Sequence, residues 1–246
     1  DMEEAIDFLR KKGQKVASKR ADREATEGIV MAKTNKEQNF ATLIMLNCET
    51  DFVAKNQDFV DFISIVSDKA IENKPKTIDD LKAMNINGRT VADSITDLVG
   101  KIGEKIEIPH YEYIEAEKVF AYNHQGNRLA TIMGMENAST DEADKIGHEL
   151  TMQIAAMSPV AVDKDDVDQK TIDKEIEIGK EQALQEGKPA DLAEKIAVGK
   201  LNKFFKENTL LNQDFVRDTK KTVRQYLNEH DKNLRITSFK RLMLGE

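Results

Sequence analysis

The feature that most constrains this chain is a pattern of two strands and a helix that occurs twice. The first copy contains GIVMAK (28–33), a turn TNKEQN, FATLIMLN (40–47) and then an amphipathic segment. In that segment, apolar residues recur at the spacing of one helix face: Phe59, Phe62, Ile63, Val66 and Ala70. Two strands around a turn, followed by such a helix, predict a β-hairpin covered by the helix.

The second copy contains KVFAYNH (118–124), QGN and RLATIMGM (128–135). The helix predicted after it has Ile146, Leu150 and Met157 on one side. Because the order and spacing match those of the first copy, we predict two related α+β subdomains. The copies differ after the second strand, where the first has TDFVAKN and the second has ENASTDEAD, which contains no aromatic residue.

From Asp163 onwards the sequence becomes strongly helical and charged. Two apolar stripes separated by Gly187–Lys188–Pro189 predict an antiparallel helical hairpin. The final segment, LRITSFKRLML, is predicted to be a strand that pairs with the second β-hairpin, which makes that subdomain discontinuous. Near the start of the chain, Gly13 is predicted to separate two helices. The predicted fold class is α+β, with two related core subdomains, each an antiparallel sheet packed with helices, plus an inserted antiparallel helical hairpin.

The composition limits the possible function classes. The 246-residue chain has a formal net charge of −8, which argues against bulk binding of nucleic acid. No apolar run approaches the roughly 20 residues that span a bilayer. Cys48 is the only cysteine, so an internal disulfide is impossible and a reducing compartment fits best. We therefore predict a cytoplasmic protein without a nucleic-acid or membrane partner.

The sequence contains no recognisable catalytic or metal-binding arrangement. The four histidines are scattered, without Cys or His partners at the spacing of metal ligands. Cys48 closes a predicted strand and is expected to be a buried, inert thiol. We predict a binding protein with no cofactor or metal and no enzymatic activity, and we keep a small hydrolase that uses Cys48 as an alternative.

The segment TDFVAKN (50–56) has two interpretations. Phe52 precedes Phe59 by seven residues, so a helix extended backwards would place it on the buried stripe, with Asp51 as the N-cap. Alternatively, Phe52 is held outward for another molecule. The periodicity favours the buried interpretation.

TDFVAKN resembles the TDFVA signature of the elongation factor Ts family. Other segments resemble that family in the same order: AIDFLRKKG, EGKPADLAEKIAVGKLNKFFKE, TLLNQDFV and KTVRQYLNEH. The resemblance implies a remnant of a helical N-terminal module at 1–24, most of which would precede Asp1. It also implies an N core subdomain at 25–117 and a discontinuous C core subdomain at 118–162 and 208–246. The inserted helical hairpin, 163–207, would be the dimerisation module.

The family consists of guanine nucleotide exchange factors for the translational GTPase elongation factor Tu, so the resemblance implies this function and this partner. It implies that Asp51 and Phe52, completed by Thr50 and Val53, intrude near the Mg²⁺ of Tu and promote GDP release. Further contacts with Tu are implied at His148, Gln153, Phe215, Val216 and Arg217. The family often has His where Gln153 stands. An exposed Phe52 and a homodimer through the helical hairpin are further expectations, and the rival function is a hairpin scaffold or dimerisation protein without exchange activity.

Overall fold

The computed structural model describes residues 2–138 and 142–246, without the side chains of residues 2, 3 and 9. Helices are mixed with antiparallel sheets, as predicted. The chain forms two compact units, one comprising Asp1–Glu136 with Ser238–Glu246 and the other Asn137–Thr237.

The first unit contains two three-stranded antiparallel sheets with helices. Its helices are α1 (Met2–Lys19), α2 (Asp51–Ala54), α3 (Gln57–Asn73), α4 (Ile78–Ala83) and α5 (Val91–Ile102). Its strands are β1 (Glu27–Thr34), β2 (Phe40–Cys48), β3 (Asn85–Ile86), β4 (Arg89–Thr90), β5 (Glu107–Glu115), β6 (Lys118–Asn123) and β7 (Leu129–Glu136). The last strand of the chain, β10 (Arg235–Met243), enters this unit at Ser238.

The first sheet has the order β1-β2-β5 and is buried on both faces. On one face, Ile44 and Leu46 join a core with the apolar stripe of α3, including Phe59 and Ile63. On the other face, alternate residues of β2 join a second core with β6, β7 and the end of the chain: Ala41, Leu43 and Met45. Successive side chains of a strand point to opposite faces, so a strand covered on both sides is buried at every position, as in the mainly apolar run FATLIM.

The second sheet has the order β10-β7-β6, so the predicted pairing of the last strand with the second hairpin is confirmed. The two hairpins are joined within the first unit. The backbone N–H of Val30 donates to the Asn127 carbonyl at 2.8 Å, and the Asn123 amide bonds both backbone groups of Ala32 at 2.7 and 2.9 Å. The boundaries of the two compact units therefore differ from those of the predicted subdomains. The subdomain boundaries follow the repeat in the sequence and stay a prediction.

The prediction that Gly13 separates two helices is wrong. Residues Met2–Lys19 form a single helix, α1, that packs against α5. A Cβ atom at Gly13 would lie 2.4 Å from the backbone oxygen of Thr96, so any side chain there would force the two helices apart. The glycine serves close helix packing rather than a helix end.

The second unit is mainly helical. Its helices are α6 (Ala143–Met157), α7 (Gln169–Gln185), α8 (Ala190–Asn208) and α9 (Val223–His230), with short 3-10 turns at Lys164–Asp166 and Leu210–Asn212. Its strands, β8 (Asp214–Phe215) and β9 (Asp218–Thr222), pair antiparallel. The segment predicted to be helical after the second hairpin contains α6, and its residues Ile146 and Leu150 are fully buried. Met157, predicted on the same side, is 41% exposed at the last position of the helix.

Helices α7 and α8 pack side by side in opposite directions. Lys180 bonds Glu194 at 3.0 Å, and Lys200 bonds Gln182 at 2.7 Å. A Cβ at Gly179 would meet the Ala197 Cα at 3.0 Å, so the small residues set a close approach between the helices. Gly187 ends α7 with a φ of 77°, a conformation that glycine adopts without strain.

Candidate partner-binding site

We call residues Thr50–Val53 the Phe52 turn. Thr50 is the N-cap of the four-residue helix α2, and its Oγ1 accepts from the Val53 N–H at 3.4 Å. Asn56, with an extended backbone (φ −69°, ψ 134°), then caps α3 as a separate helix. The extended residue interrupts the helical phase between Phe52 and Phe59. The interpretation that continues the buried stripe back to Phe52, with Asp51 as the N-cap, is therefore wrong.

The side chains of the Phe52 turn differ sharply in exposure. Phe52 is 82% exposed, so the expectation of an exposed Phe52 is confirmed. Val53 is half-buried and packs on the core beneath α3. Asp51 is exposed and binds Lys55 at 2.7 Å, and this hydrogen bond and charge lower the pKa of the Asp51 carboxyl. The turn thus presents one aromatic ring and one carboxylate to solvent.

The Phe52 turn is tied to a segment more than 50 residues away, Glu104–Lys105. Glu104 Oε2 accepts from the backbone N–H groups of Glu49 and Thr50 at 3.1 and 3.0 Å, and its Oε1 accepts from the Thr50 hydroxyl at 2.7 Å. Glu49 Oε1 accepts in return from the Lys105 N–H at 2.7 Å. Sequence reasoning missed both glutamates, because no local pattern connects them.

Arg20, just beyond the end of α1, completes this arrangement. Its Nη1 lies 2.8 Å from both carboxylate oxygens of Glu49. Burial by itself would raise the pKa of Glu49, but the Lys105 N–H and the Arg20 guanidinium outweigh it and hold that pKa below its ordinary value. Glu49 is therefore a charged group that joins β2, α1 and the segment before β5.

Cys48 lies at the end of β2, two residues before the turn. Its side chain is fully buried, and its Sγ donates to the Thr50 carbonyl at 3.2 Å. Burial raises the pKa of the thiol to about 12. The expectation of a buried thiol is confirmed, and this environment does not favour a nucleophilic role for Cys48.

The further predicted contact residues lie in the second unit, on α6 and in residues Gln213–Arg217, which we call the Phe215 turn. His148, Val216 and Arg217 are exposed. Gln153 and Phe215 are buried, at 0% and 3% exposure. A direct contact of a partner with these two side chains would require the unit to open, so the role that their burial favours is support.

The buried Gln153 amide holds the Phe215 turn. Its Oε1 accepts from the Val216 N–H at 2.8 Å, and its Nε2 donates to the Asp214 carbonyl at 3.1 Å and to Gln213 Oε1 at 3.2 Å. Both ends of the amide are therefore used by one turn. Sequence reasoning identified Gln153 by its place in the family pattern but gave no indication of this function.

Glu149, one turn before Gln153 on α6, is a second anchor. It is buried, accepts a hydrogen bond from the Tyr226 hydroxyl and pairs with Arg217 at 3.0 Å. Burial and then the bond to Glu149 raise the pKa of the Tyr226 phenol above its ordinary value. The Phe215 ring stacks on Tyr226 with a centroid separation of 4.2 Å. The turn is thus fixed by an ion pair, a hydrogen bond and an aromatic stack.

In residues 2–138 and 142–246, no group of three or more His, Cys, Asp or Glu side chains is placed to hold a metal ion. None of the helices that the structure describes is long and apolar enough to cross a membrane.

Known proteins place the chain in a family. The sequence model of the family described as "Elongation factor TS" matches residues 49–246. The chain is 46% identical over 245 residues to elongation factor Ts of Amoebophilus asiaticus, a match that covers 100% of this chain and 88% of the relative. It is 46% identical over 246 residues to elongation factor Ts of Porphyromonas gingivalis and to that of Cytophaga hutchinsonii, with the same coverage. A match over the whole chain at this identity, together with the family model, shows that the chain belongs to the elongation factor Ts family.

Proposed function

We propose that this chain is a guanine nucleotide exchange factor in translation elongation, which binds elongation factor Tu with GDP and promotes GDP release. The observation that carries the proposal is Phe52, which is 82% exposed at the start of a capped helix. Transfer of an aromatic side chain out of water is favourable, so an exposed ring on an anchored turn is suited to burial in a partner. Membership of the elongation factor Ts family supplies the class of partner.

The proposed mechanism acts on the Mg²⁺ site of the GTPase. Asp51 and Phe52 would enter near the bound Mg²⁺, with Thr50 and Val53 supporting them. Mg²⁺ offsets the charge of the nucleotide phosphates, so a disturbed coordination shell weakens nucleotide binding without any bond being made or broken. The chain therefore needs no cofactor or catalytic residue of its own.

Exchange requires differential affinity. The chain must bind nucleotide-free Tu more tightly than Tu with GDP, and by linkage the two ligands then weaken each other's binding. We assign further contacts with Tu to His148, Val216 and Arg217, which are exposed. Gln153 and Phe215 would contribute by holding the Phe215 turn that carries two of these residues.

We expect a cytoplasmic protein with elongation factor Tu as its partner and without nucleic-acid or membrane binding. We further propose that a homodimer can form through the helical hairpin, α7 and α8. The predicted module boundaries, an N core at 25–117 and a C core at 118–162 with 208–246, belong to this proposal.

The second candidate function is a hairpin scaffold or dimerisation protein without exchange activity. The observation that favours it is a set of large apolar side chains exposed along α7 and α8: Leu184, Leu192 and Val198. If the chain has this function, it should self-associate through the hairpin and should not change the rate of nucleotide release.

The test is a stopped-flow measurement of the release of labelled GDP from Tu. Burial of one Phe side chain supplies roughly 1.5–3 kcal/mol. At about 1.4 kcal/mol per tenfold, Phe52→Ala should slow stimulated release by about ten- to a hundredfold. Ile65→Ala, which truncates another exposed apolar side chain of the same unit, is the matched control and should stimulate release like the parent chain.

The same measurement over a series of free Mg²⁺ concentrations tests the mechanism. Chelation should raise spontaneous release and narrow the gap between the parent chain and Phe52→Ala, because removal of the metal does part of what Phe52 does. A constant gap would show that Phe52 supplies docking affinity only. No acceleration of release by the parent chain would favour the scaffold.

A further inference from the structure

The Phe52 turn is anchored through the side chain of Glu104. One carboxylate oxygen accepts from the two successive N–H groups of Glu49 and Thr50, at 3.1 and 3.0 Å. The other oxygen accepts from the Thr50 hydroxyl at 2.7 Å. A carboxylate is the suitable group for this position, because all three bonds require an acceptor and bonds to a charged acceptor are stronger than neutral ones.

The Thr50 hydroxyl connects this anchor to α2. The hydroxyl donates to Glu104 and accepts from the Val53 N–H at 3.4 Å. A hydroxyl has one proton and two lone pairs, so it can make both bonds at once. The chain of contacts therefore runs from Glu104 through Thr50 to the first turn of the helix that carries Phe52.

Such an anchor matters because α2 cannot hold itself. A helix of four residues is far below the length at which an isolated helix is stable in water. None of its residues is fully buried, and the Phe52 ring is 82% exposed, so packing does not fix the direction of the ring. The direction of Phe52 is consequently set by the backbone of the turn, and that backbone is held by its capping and anchoring bonds together with the packing of the half-buried Val53 and Ala54 on the core.

We propose that Thr50 and Glu104 are positioning residues for exchange, which keep Phe52 in the orientation that enters the partner before the partner is bound. This inference rests on the proposed function. Preorganisation lowers the ordering cost that a mobile ring would otherwise incur on binding or in the transition state of release. Thr50 and Glu104 act through Phe52 and need not contact Tu for this effect.

The first experiment compares two substitutions at Thr50, one that keeps the hydroxyl group and one that removes it. Thr50→Ser keeps a hydroxyl for both bonds, whereas Thr50→Val keeps the branched shape and loses both. At saturating factor, Thr50→Val should slow the maximum rate of GDP release on the order of tenfold, the scale of a small misplacement. Thr50→Ser should remain close to the parent chain. The concentration of factor that gives half the maximum rate should change little, because the exposed residues of the Phe215 turn still dock.

A second pair provides an independent test if Thr50→Val does not fold. Glu104→Gln retains one carbonyl oxygen for the two backbone N–H groups, and Glu104→Leu retains no acceptor. The rates should fall in the order parent chain, Glu104→Gln, Glu104→Leu. In the free chain, amide hydrogen exchange of Thr50 should become faster in the same order, a measurement that does not depend on Tu.

Combination with Phe52→Ala distinguishes positioning from general stability. If Thr50 acts through Phe52, the double variant Thr50→Val with Phe52→Ala should be no slower than Phe52→Ala alone, because coupled residues are not additive. Equal additional slowing in both backgrounds would overturn the inference. An unimpaired Thr50→Val beside an impaired Phe52→Ala would overturn the positioning role and leave the proposed function standing. An unimpaired Phe52→Ala would overturn the role of Phe52 and this inference with it, whereas no acceleration of release by the parent chain would overturn the proposed function itself.

Discussion

In the Phe52 turn, a glutamate from a distant segment accepts hydrogen bonds from the backbone, and the aromatic ring is 82% exposed. In the Phe215 turn, a glutamine from α6 binds the backbone in a similar way. The ring of Phe215 is only 3% exposed and stacks on Tyr226. Both turns are therefore anchored by a buried or half-buried polar side chain. They differ in the environment of the aromatic side chain, which is solvent for Phe52 and the protein interior for Phe215.

The difference indicates two ways to prepare a surface for a partner. In the Phe52 turn the ring itself is available, and the anchor has to fix a small helix that gains nothing from the burial of the ring. In the Phe215 turn the ring is part of the anchor, and the exposed side chains beside it, Val216 and Arg217, are available instead. Truncation of the two phenylalanines should therefore have opposite consequences for stability and for binding.

The largest expected effect is on stability at Phe215. Phe215→Ala removes a ring that stacks on Tyr226 and should lower the free energy of unfolding by about 3–5 kcal/mol. Phe52→Ala is its matched control and should stay within about ±0.5 kcal/mol, because the ring is exposed. Urea unfolding followed by circular dichroism measures both. Equal shifts of the urea midpoint in the two variants would contradict the difference in burial between the two rings.

A smaller effect is expected from the anchor of the Phe215 turn. Gln153→Ala leaves the Val216 N–H and the Asp214 carbonyl without their partner and should cost about 1–3 kcal/mol. Gln185→Ala, at an exposed position of α7, is the control and should be almost neutral. The unfolding midpoints of the two variants provide the comparison. A Gln153→Ala variant as stable as the control would mean that the turn does not depend on this amide.

The smallest effect concerns the charge of Glu49 beside the Phe52 turn. The pKa of Glu49 in the folded chain lies below its ordinary value of 4.5, so the ionised form is favoured by folding. Its contribution to stability is therefore present above pH 4.5 and is lost as the pH falls through the lowered pKa. Because the ion pair of Glu49 with Arg20 is partly exposed, the charge of Glu49 should contribute roughly 1 kcal/mol or less to the free energy of unfolding.

Glu49→Gln tests that contribution. The variant should be less stable than the parent chain at pH 7, and the difference should shrink as the pH falls below 4.5. Glu72→Gln, which neutralises an exposed carboxylate on α3, controls for the change of net charge. A difference that stays constant from pH 7 to pH 3 would exclude ionisation of Glu49 as its source.

The sequence by itself determined the elements whose signals are local. The stripe of α3, the two hairpins, the burial of Cys48 and the helical hairpin around Gly187 follow from residue spacing and turn residues, and all of them occur in the structure. The predicted pairing of the last strand with the second hairpin also occurs, as β10 beside β7. Family resemblance, and not periodicity, gave the exposed Phe52.

The tertiary structure decided the rest. Gly13 is buried against Thr96, Glu104 reaches back to Thr50, and Gln153 holds the Phe215 turn, each across a separation that no pattern of neighbouring residues encodes. The two hairpins likewise join one compact unit because their side chains share a core, whereas the repeat in the sequence suggested separate subdomains. Local periodicity fixes which face of an element is apolar, because side-chain direction follows from backbone geometry. Which polar group meets which backbone amide depends on surfaces that approach only when the whole chain has packed.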